Sequence, residues 1–141
     1  MRLWHKDLII FHILPNKQLV GQWRECCCIA KNVQDNGTPN HILVNKIMEY
    51  PLYDFIHYSG LVYQEMIFRN YKADWNKFRK YFPYYFFNGF WSTKDLYADW
   101  HTDRYLKQCY YNLQEKFDRG AIPENEWKSI ENHIKERNLV L

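Results

Sequence analysis

Apolar residues recur with a helical period over residues 17–33. A stripe with the spacing of a buried helix face consists of Leu19, Val20, Trp23, Cys26, Cys27 and Ala30. A second, polar stripe at i, i+4 and i+7 consists of Gln18, Gln22 and Glu25. Asn16 is a favoured N-cap residue, and Gln34-Asp35-Asn36-Gly37 is a turn signal. The pattern predicts a helix over residues 17–33, whose polar stripe is either a solvated face or a functional one.

Further helical stretches follow. One starts near His41 and is interrupted at Pro51, and the main second helix is predicted over residues 52–70. Its buried stripe consists of Leu52, Phe55, Ile56, Ser59, Val62, Tyr63 and Met66. Thr93 is a candidate cap of a short helix. The remaining patterns predict a short basic helix over residues 74–80, a long helix over 103–119 and a last helix over 124–137.

The N-terminal segment has a different pattern. Leu8-Ile9-Ile10-Phe11 is apolar but short, which predicts a short strand or an extended arm that runs across the body. We therefore predict an all-α protein, a single compact domain over residues 1–141 of three to five helices with an N-terminal extended arm packed across them. A chain of 141 residues is long enough to bury a core of its own.

The sequence indicates neither a leader nor a membrane span. The apolar segment from Leu8 to Leu14 is too short for a signal peptide and is interrupted by His12. No apolar run is long enough to cross a bilayer. We expect a cytoplasmic protein without a membrane partner.

Charge is unevenly distributed although the net charge is only +3. Residues 1–68 are neutral overall, residues 69–94 carry +5, and residues 95–141 carry −2. The basic residues of the middle segment are Arg69, Lys72, Lys77, Arg79, Lys80 and Lys94. This segment fits a surface that grips phosphates or, alternatively, a solvated basic loop.

Aromatic residues are unusually frequent, with 12 Tyr, 9 Phe and 6 Trp. They are densest from Tyr81 to Trp91. This run fits a packed cluster that closes the helix bundle or, alternatively, a surface that stacks on the bases of a kinked duplex.

The cysteine pattern favours neither disulfides nor zinc. Cys26, Cys27 and Cys28 are consecutive on one predicted helix and cannot pair without distortion, and no second motif accompanies them. We expect reduced thiols, with Cys26 and Cys27 as small core residues. A cysteine nucleophile is a further alternative, although no His lies beside these residues at helical spacing.

Two stretches carry a resemblance to a known family. Met1-Arg2-Leu3-Trp4-His5 and the helix Gln18-Leu19-Val20-Gly21-Gln22-Trp23-Arg24-Glu25 resemble the pyrimidine-dimer DNA glycosylases, the endonuclease V type of base-excision enzyme. The similarity is best over residues 1–37 and continues in pattern to Lys72. It implies a DNA glycosylase with an attached abasic-site lyase activity, acting on damaged pyrimidines such as cyclobutane dimers.

The resemblance also implies a nucleophile and an acid/base group. Family members use an N-terminal amine, which by position is that of Met1, because the bulky Arg2 disfavours removal of the initiator. A free α-amine has a reference pKa of about 7.7–8.0, against about 10.4 for lysine, so part of it is an unprotonated nucleophile at neutral pH. The helix carboxylate is Glu25. The family mechanism needs no metal or organic cofactor, so none is expected here.

DNA contacts follow from the same resemblance and from the basic segment. Arg2 matches an arginine that contacts the DNA beside the lesion, and Arg24 matches one that contacts phosphate or flanks the catalytic Glu. Gln18 replaces a His and Cys28 replaces an Arg. The full set of predicted DNA-binding residues is Arg2, His5, Gln18, Gln22, Arg24, Arg69, Lys77, Arg79 and Lys80.

The expected partner is double-stranded damaged DNA, bound by a monomer that is nucleoid-associated in a bacterial or viral host cell. A non-catalytic nucleic-acid-binding helical module is the main alternative, and a structural or partner-binding helical protein is another. These classes differ in testable ways, because a binding module keeps salt-dependent affinity but forms no covalent adduct.

Overall fold

The computed structural model describes residues 1–85 and 93–141, and all regular secondary structure in these ranges is helical. It comprises α1 (Lys6–Ile10), α2 (Asn16–Asn36), a 3₁₀ helix (Asn45–Glu49), α3 (Leu52–Phe68), α4 (Asn76–Arg79), α5 (Asp103–Asp118) and α6 (Glu124–Glu136). The predicted all-α class is confirmed. The four long helices α2, α3, α5 and α6 match predicted stretches to within three residues at each end. Among residues 1–85 and 93–141, none of the helices combines the length and the hydropathy that a membrane span requires.

Helix α2 has well-defined ends. Pro15 occupies the N-cap position, and Gly37 ends the helix in the left-handed conformation with φ 74°. Glycine suits this position because a residue without Cβ adopts positive φ at little cost. The backbone N–H of Gly37 donates to the Val33 carbonyl over 2.9 Å and closes the last turn.

The core is centred on the packing of α2 against α3. From α2 it takes Leu19, Trp23, Cys26, Ile29 and Ala30, and from α3 it takes Phe55, Ile56, Tyr58, Val62 and Met66. The sequence pattern identified most of these residues, but it missed Ile29 and Tyr58, neither of which has any exposed surface. Full burial of an aromatic side chain of this size contributes roughly 2–3 kcal/mol of hydrophobic stabilisation.

The short helix α4 completes one side of this core. Phe78 is fully buried and packs on Phe55, with ring centroids 5.6 Å apart. Trp75 lies beside Trp23, with centroids 6.2 Å apart. The apolar residues of α4 therefore face inward, which leaves its basic residues on the outside.

Leu8-Ile9-Ile10-Phe11 does not form the predicted strand or extended arm, since Lys6–Ile10 is a short helix. The helix begins because the His5 side chain accepts a hydrogen bond from the Asp7 N–H and caps the first turn. Leu8 and Ile9 are then buried together with the rest of the core. Only residues 1–5 have the extended character of the predicted arm.

The short helix predicted after Thr93 is wrong, because residues 93–100 form turns. Buried Lys6 donates through Nζ to the carbonyls of Thr93, Lys94 and Leu96, over 2.6, 3.0 and 2.6 Å. Carbonyls gathered around one ammonium are not free to form a helical ladder. Tyr97 has φ 51°, which also interrupts a helix.

Part of the aromatic run from Tyr81 to Trp91 belongs to the core. Phe82 is 2% exposed and packs on Phe78, with centroids 5.3 Å apart, whereas Tyr84 is 87% exposed. Residues 86–91 of the run lie outside the described residues. The burial of Phe82 supports the interpretation of this part of the run as a packed aromatic cluster.

Candidate active site

The N-terminal arm, residues 1–5, is attached to α2 by one buried side chain. The Gln22 amide is 1% exposed. Its oxygen accepts from the Trp4 N–H over 2.8 Å, and its nitrogen donates to the Arg2 carbonyl over 2.9 Å. The side-chain amide thus accepts from one backbone N–H of the arm and donates to one backbone carbonyl, which are the two kinds of hydrogen bond that a paired β-strand would make. These bonds fix the position of the arm on α2.

Two tyrosines from other helices hold the same arm. The Tyr58 hydroxyl donates to the Trp4 carbonyl over 2.6 Å, and the Tyr105 hydroxyl donates to the Leu3 carbonyl over 2.5 Å. Leu3 itself is fully buried. The arm therefore has little freedom after its second residue, and Met1 projects from it with 43% of its surface exposed.

A cavity of about 310 Å³ lies where the arm meets α2, and predicted site residues converge on it. Met1, Arg2, Gln18 and Glu25 all line it. The remaining lining residues are Trp4, Lys17, Gly21, Leu43, Asn112 and Lys116. The polar stripe predicted on α2 thus faces the cavity through its two outer members, while its middle member, Gln22, supports the arm.

Glu25 is half-buried at the edge of this cavity, and its environment raises the pKa of its carboxyl group. Burial is the main cause, and it is opposed by the positive Met1 amine, a hydrogen bond from the Arg2 backbone N–H and the nearby His41. Gln22 Nε2 also donates to Glu25 Oε2 over 3.2 Å. A carboxyl group in this state is suited to exchange protons with a bound ligand.

Arg2 lies between the arm and a neighbouring groove. Its guanidinium sits over the Trp4 ring, 5.3 Å from the centroid. It also contacts the side chains of Tyr105 and Cys109 electrostatically. It lines both the 310 Å³ cavity and an adjoining groove of about 730 Å³. Arg2 thus places a fixed positive charge at the junction of the two.

The adjoining groove runs between the loop of residues 42–46 and α5. Its lining is rich in aromatic and polar groups and includes Trp100, Thr102, Arg104, Tyr105, Gln108, Tyr111 and Asn112. Lys46 adds a positive charge, while Asp99 and Glu115 add negative ones. Leu43 and Asn112 line both concavities, so the groove is continuous with the 310 Å³ cavity, which we call the amine–carboxylate cavity after Met1 and Glu25.

Gln18 carries a buried side-chain oxygen with no hydrogen-bond partner among the described residues. An unpaired buried acceptor is costly, by roughly 1–3 kcal/mol, unless water or a ligand donates to it. Its place in the cavity wall makes Gln18 a candidate ligand contact.

Arg24 and the basic helix α4 lie on another side of α2. Arg24, Lys72 and Lys77 line a separate concavity of about 670 Å³ together with Cys27 and Cys28. Lys77, Arg79 and Lys80 are exposed, and Lys80 Nζ lies 5.1 Å from the Tyr81 ring centroid. These cations are accessible to a polyanion, but they do not line the cavity that contains Met1.

Three residues predicted to bind DNA are occupied internally. His5 is 2% exposed, its Nε2 pairs with the His101 carbonyl over 2.9 Å, and burial lowers its pKa to about 4. Gln22 is equally buried. Arg69 donates to Glu65 over 2.8 Å and to the Leu14 carbonyl over 2.7 Å. The structure therefore engages all three side chains within the protein, and their direct contacts with DNA stay a prediction.

Several cavity residues were not identified from the sequence. Lys17 stands next to Gln18, and Asn112 and Lys116 are one turn apart on α5. The i, i+4 spacing places the last two on one face, but nothing in the sequence indicates that this face meets the N-terminal arm. Only the tertiary structure, which brings these side chains to the cavity that Met1 lines, reveals them.

The cysteines, and the residue types that commonly bind metal ions, contribute little to the site. All four cysteines are free, and Cys26 is fully buried with a raised thiol pKa caused mainly by burial. A buried thiol of this kind is a poor nucleophile. Within residues 1–85 and 93–141, no three His, Cys, Asp or Glu side chains are grouped to hold a metal ion.

An amine, a carboxyl group with a raised pKa and several cations in one small cavity form an arrangement suited to imine chemistry on a phosphate-bearing substrate. Searches of curated proteins and of solved structures returned no match. The sequence model of the pyrimidine dimer DNA glycosylases matches residues 1–78, which is more than half of the chain and includes the arm, α2 and α3. The chain therefore belongs to the pyrimidine dimer DNA glycosylase family.

Proposed function

We propose that this protein is a base-excision DNA glycosylase with an abasic-site lyase activity, and that the Met1 amine is its nucleophile. One observation carries the proposal. Met1 and Glu25 line the same 310 Å³ cavity, and the positive amine acts on the ionisation of the Glu25 carboxyl group. The proposal requires that the chain begins at Met1 with a free amine.

The chemistry proceeds in balanced steps. The Met1 nitrogen attacks C1′ of the damaged nucleotide, the C1′–N glycosidic bond breaks, and the base leaves with the electron pair and takes up a proton. Opening of the sugar ring gives an imine between the amine and C1′. Removal of a C2′ proton then breaks the C3′–O bond, and water releases the amine and the unsaturated sugar aldehyde.

Glu25 is the proposed acid/base group. Its raised pKa lets the carboxyl group accept a proton from the amine and return a proton to the departing base or the ring oxygen. As an anion it also stabilises the cationic imine beside it. The Arg2 N–H and the Gln22 amide, both bonded to this carboxyl group, hold it at the amine.

Cations around the cavity are proposed to hold the sugar–phosphate backbone. Arg2 lies at the mouth of the groove, and Lys17 and Lys116 lie on the cavity wall. The unpaired Gln18 oxygen is suited to accept from an N–H of the damaged base. Arg24, Lys77, Arg79 and Lys80 are proposed to contact phosphates farther along the duplex, where they affect affinity rather than the reaction.

Borohydride trapping tests the proposal directly. Untagged protein, whose intact mass shows an unmodified Met1, is mixed with duplexes that contain an abasic site or a cyclobutane pyrimidine dimer, then reduced and digested. Peptide mass spectrometry should place the adduct on the Met1 amine with both duplexes. An N-acetylated preparation is the matched control and should form no adduct.

The other outcomes separate the rival readings. An adduct with the abasic duplex alone retains the lyase chemistry but excludes dimers as the excised lesion. An adduct on Lys17 or Lys116 overturns the assignment of Met1. Salt-dependent duplex binding without any adduct overturns the enzymatic proposal in favour of a non-catalytic DNA-binding module.

A further inference from the structure

Two large apolar side chains project beside the amine–carboxylate cavity. Ile42 is 87% exposed and Leu43 is 48% exposed. Ile42 lines the 730 Å³ groove, and Leu43 lines both that groove and the cavity that holds Met1. Two adjacent exposed apolar side chains that line a polar groove are typical of a surface that contacts another molecule.

The loop that carries these side chains is held in one shape. His41 N–H donates to Asn45 Oδ1 over 3.0 Å, and Leu43 N–H donates to His41 Nδ1 over 3.2 Å. The next residues anchor the loop, since Val44 and Ile47 are fully buried. Ile42 therefore lies at the tip of a loop whose shape is fixed by these hydrogen bonds and by the two buried residues that follow.

The surroundings of the tip are polar and contain several cations. The groove beside it contains Arg2, Lys46 and Arg104, and the cavity contains Lys17 and Lys116. Acidic residues are also present, namely Glu25, Asp99 and Glu115. An apolar tip among cations matches duplex DNA, whose charged backbones surround an apolar stack of bases.

We propose that Ile42, supported by Leu43, is a wedge that inserts between base pairs next to the damaged nucleotide. This inference rests on the proposed function and adds to it the means by which the stack is opened. The glycosidic carbon of a stacked nucleotide is shielded, so the Met1 amine reaches it only in a distorted duplex. An apolar side chain in the opened step replaces part of the lost stacking and keeps the duplex kinked.

Fluorescence and trapping together test the wedge in the full-length protein. A duplex with 2-aminopurine beside a tetrahydrofuran abasic analogue reports unstacking without chemistry, and borohydride trapping on duplex and single-stranded abasic DNA reports the reaction. The variants are Ile42→Ser, the conservative Ile42→Leu, and Met48→Ser as a matched control. Met48 is 42% exposed on the adjoining 3₁₀ helix but does not line the groove or the cavity.

The expected pattern is specific to duplex DNA. Ile42→Ser should lose most of the rise in 2-aminopurine emission and trap duplex abasic DNA about tenfold more slowly. Its trapping of single-stranded abasic DNA, which is already unstacked, should stay within about twofold of the parent. Ile42→Leu and Met48→Ser should both behave as the parent.

Other results overturn the wedge in distinguishable ways. Equal losses of Ile42→Ser on duplex and single-stranded DNA mean that the loop positions the site and opens no stack. Unchanged fluorescence and duplex trapping in Ile42→Ser show that the tip does not enter DNA, and a change of oligomeric state in that variant assigns it to self-association. Failure of the parent to trap either DNA, with the fluorescence rise intact, contradicts the proposed function alone.

Discussion

The side-chain nitrogen of Gln22 donates to the Glu25 carboxylate over 3.2 Å and to the Arg2 carbonyl over 2.9 Å. One buried amide therefore joins the proposed acid/base group to the arm that carries the proposed nucleophile. Because the amide is 1% exposed and its oxygen is also paired, its orientation is fixed. The distance between amine and carboxyl group is thus set by the core of the protein rather than by its surface.

Replacing Gln22 should loosen the arm. Gln22→Ala leaves the Trp4 N–H and the Arg2 carbonyl without their partner, which should lower the free energy of unfolding by about 1–3 kcal/mol. Trapping of abasic DNA should slow at least about tenfold because the amine is no longer held at the carboxyl group. Urea denaturation and borohydride trapping measure the two effects. Gln34→Ala, at an exposed position of the same helix, is the control and should change neither.

Replacing Glu25 should affect the reaction without harming the fold. Glu25→Gln keeps the size of the side chain but removes proton transfer, so cleavage of damaged DNA should fall about 10²–10⁴-fold. Stability at pH 7 should be unchanged or higher, because burial disfavours the charged form of this carboxyl group. Steady-state cleavage and thermal unfolding measure these effects, with Asp35→Asn as the exposed control on α2. Full activity in Glu25→Gln contradicts the assignment.

The raised pKa of Glu25 predicts the form of the pH profile. Activity that requires the carboxylate should decline on acidification at a higher pH than an ordinary glutamate would produce, because this group takes up its proton earlier. Single-turnover trapping rates between pH 4 and pH 8 should reveal this acidic limb in the parent. The residual activity of Glu25→Gln should lack it, and an identical limb in both proteins assigns the titration to another group.

Replacing Lys77 should affect DNA binding but not stability, whereas replacing Arg69 should affect stability but not DNA binding. Lys77 is exposed, so Lys77→Gln should weaken duplex binding several-fold at low salt and lower the salt slope by about one, with no loss of stability. Arg69 pairs with Glu65, which is 4% exposed and also pairs with His12 Nδ1 over 2.6 Å. Arg69→Gln should therefore lower the free energy of unfolding by about 1–3 kcal/mol and leave the salt slope intact. Fluorescence anisotropy over a salt series and urea denaturation distinguish the two variants.

Stability should fall between about pH 6.5 and pH 4 because His5 is buried in its neutral form. Burial lowers the pKa of His5 to about 4, and its Nδ1 accepts a hydrogen bond from the Asp7 N–H over 3.1 Å. The unfolded chain therefore takes up this proton before the folded chain does, which costs up to about 3 kcal/mol as the pH falls. His5→Gln should reduce this pH dependence in urea denaturation. An equal dependence in parent and variant contradicts the prediction.

The amino-acid sequence by itself determined the helical class and most helix boundaries. Periodic apolar positions, Gly37 and Pro123 act within a few residues of one another, so α2 and α6 are readable locally. The resemblance to the glycosylase family also proposed Met1 and Glu25 as nucleophile and carboxyl group, because each lies in a short continuous stretch that matches the family. Both roles stay predictions.

Only the tertiary structure decided which polar residues face the cavity. Gln22 and His5 have the sequence signature of surface groups, but both are buried because the arm and the turn of residues 93–101 cover them. Lys116 and Met1 line the same cavity although they are far apart in the sequence. Local propensity carries no information about such long-range contacts, since they follow from how the helices pack and from which buried polar groups must find partners.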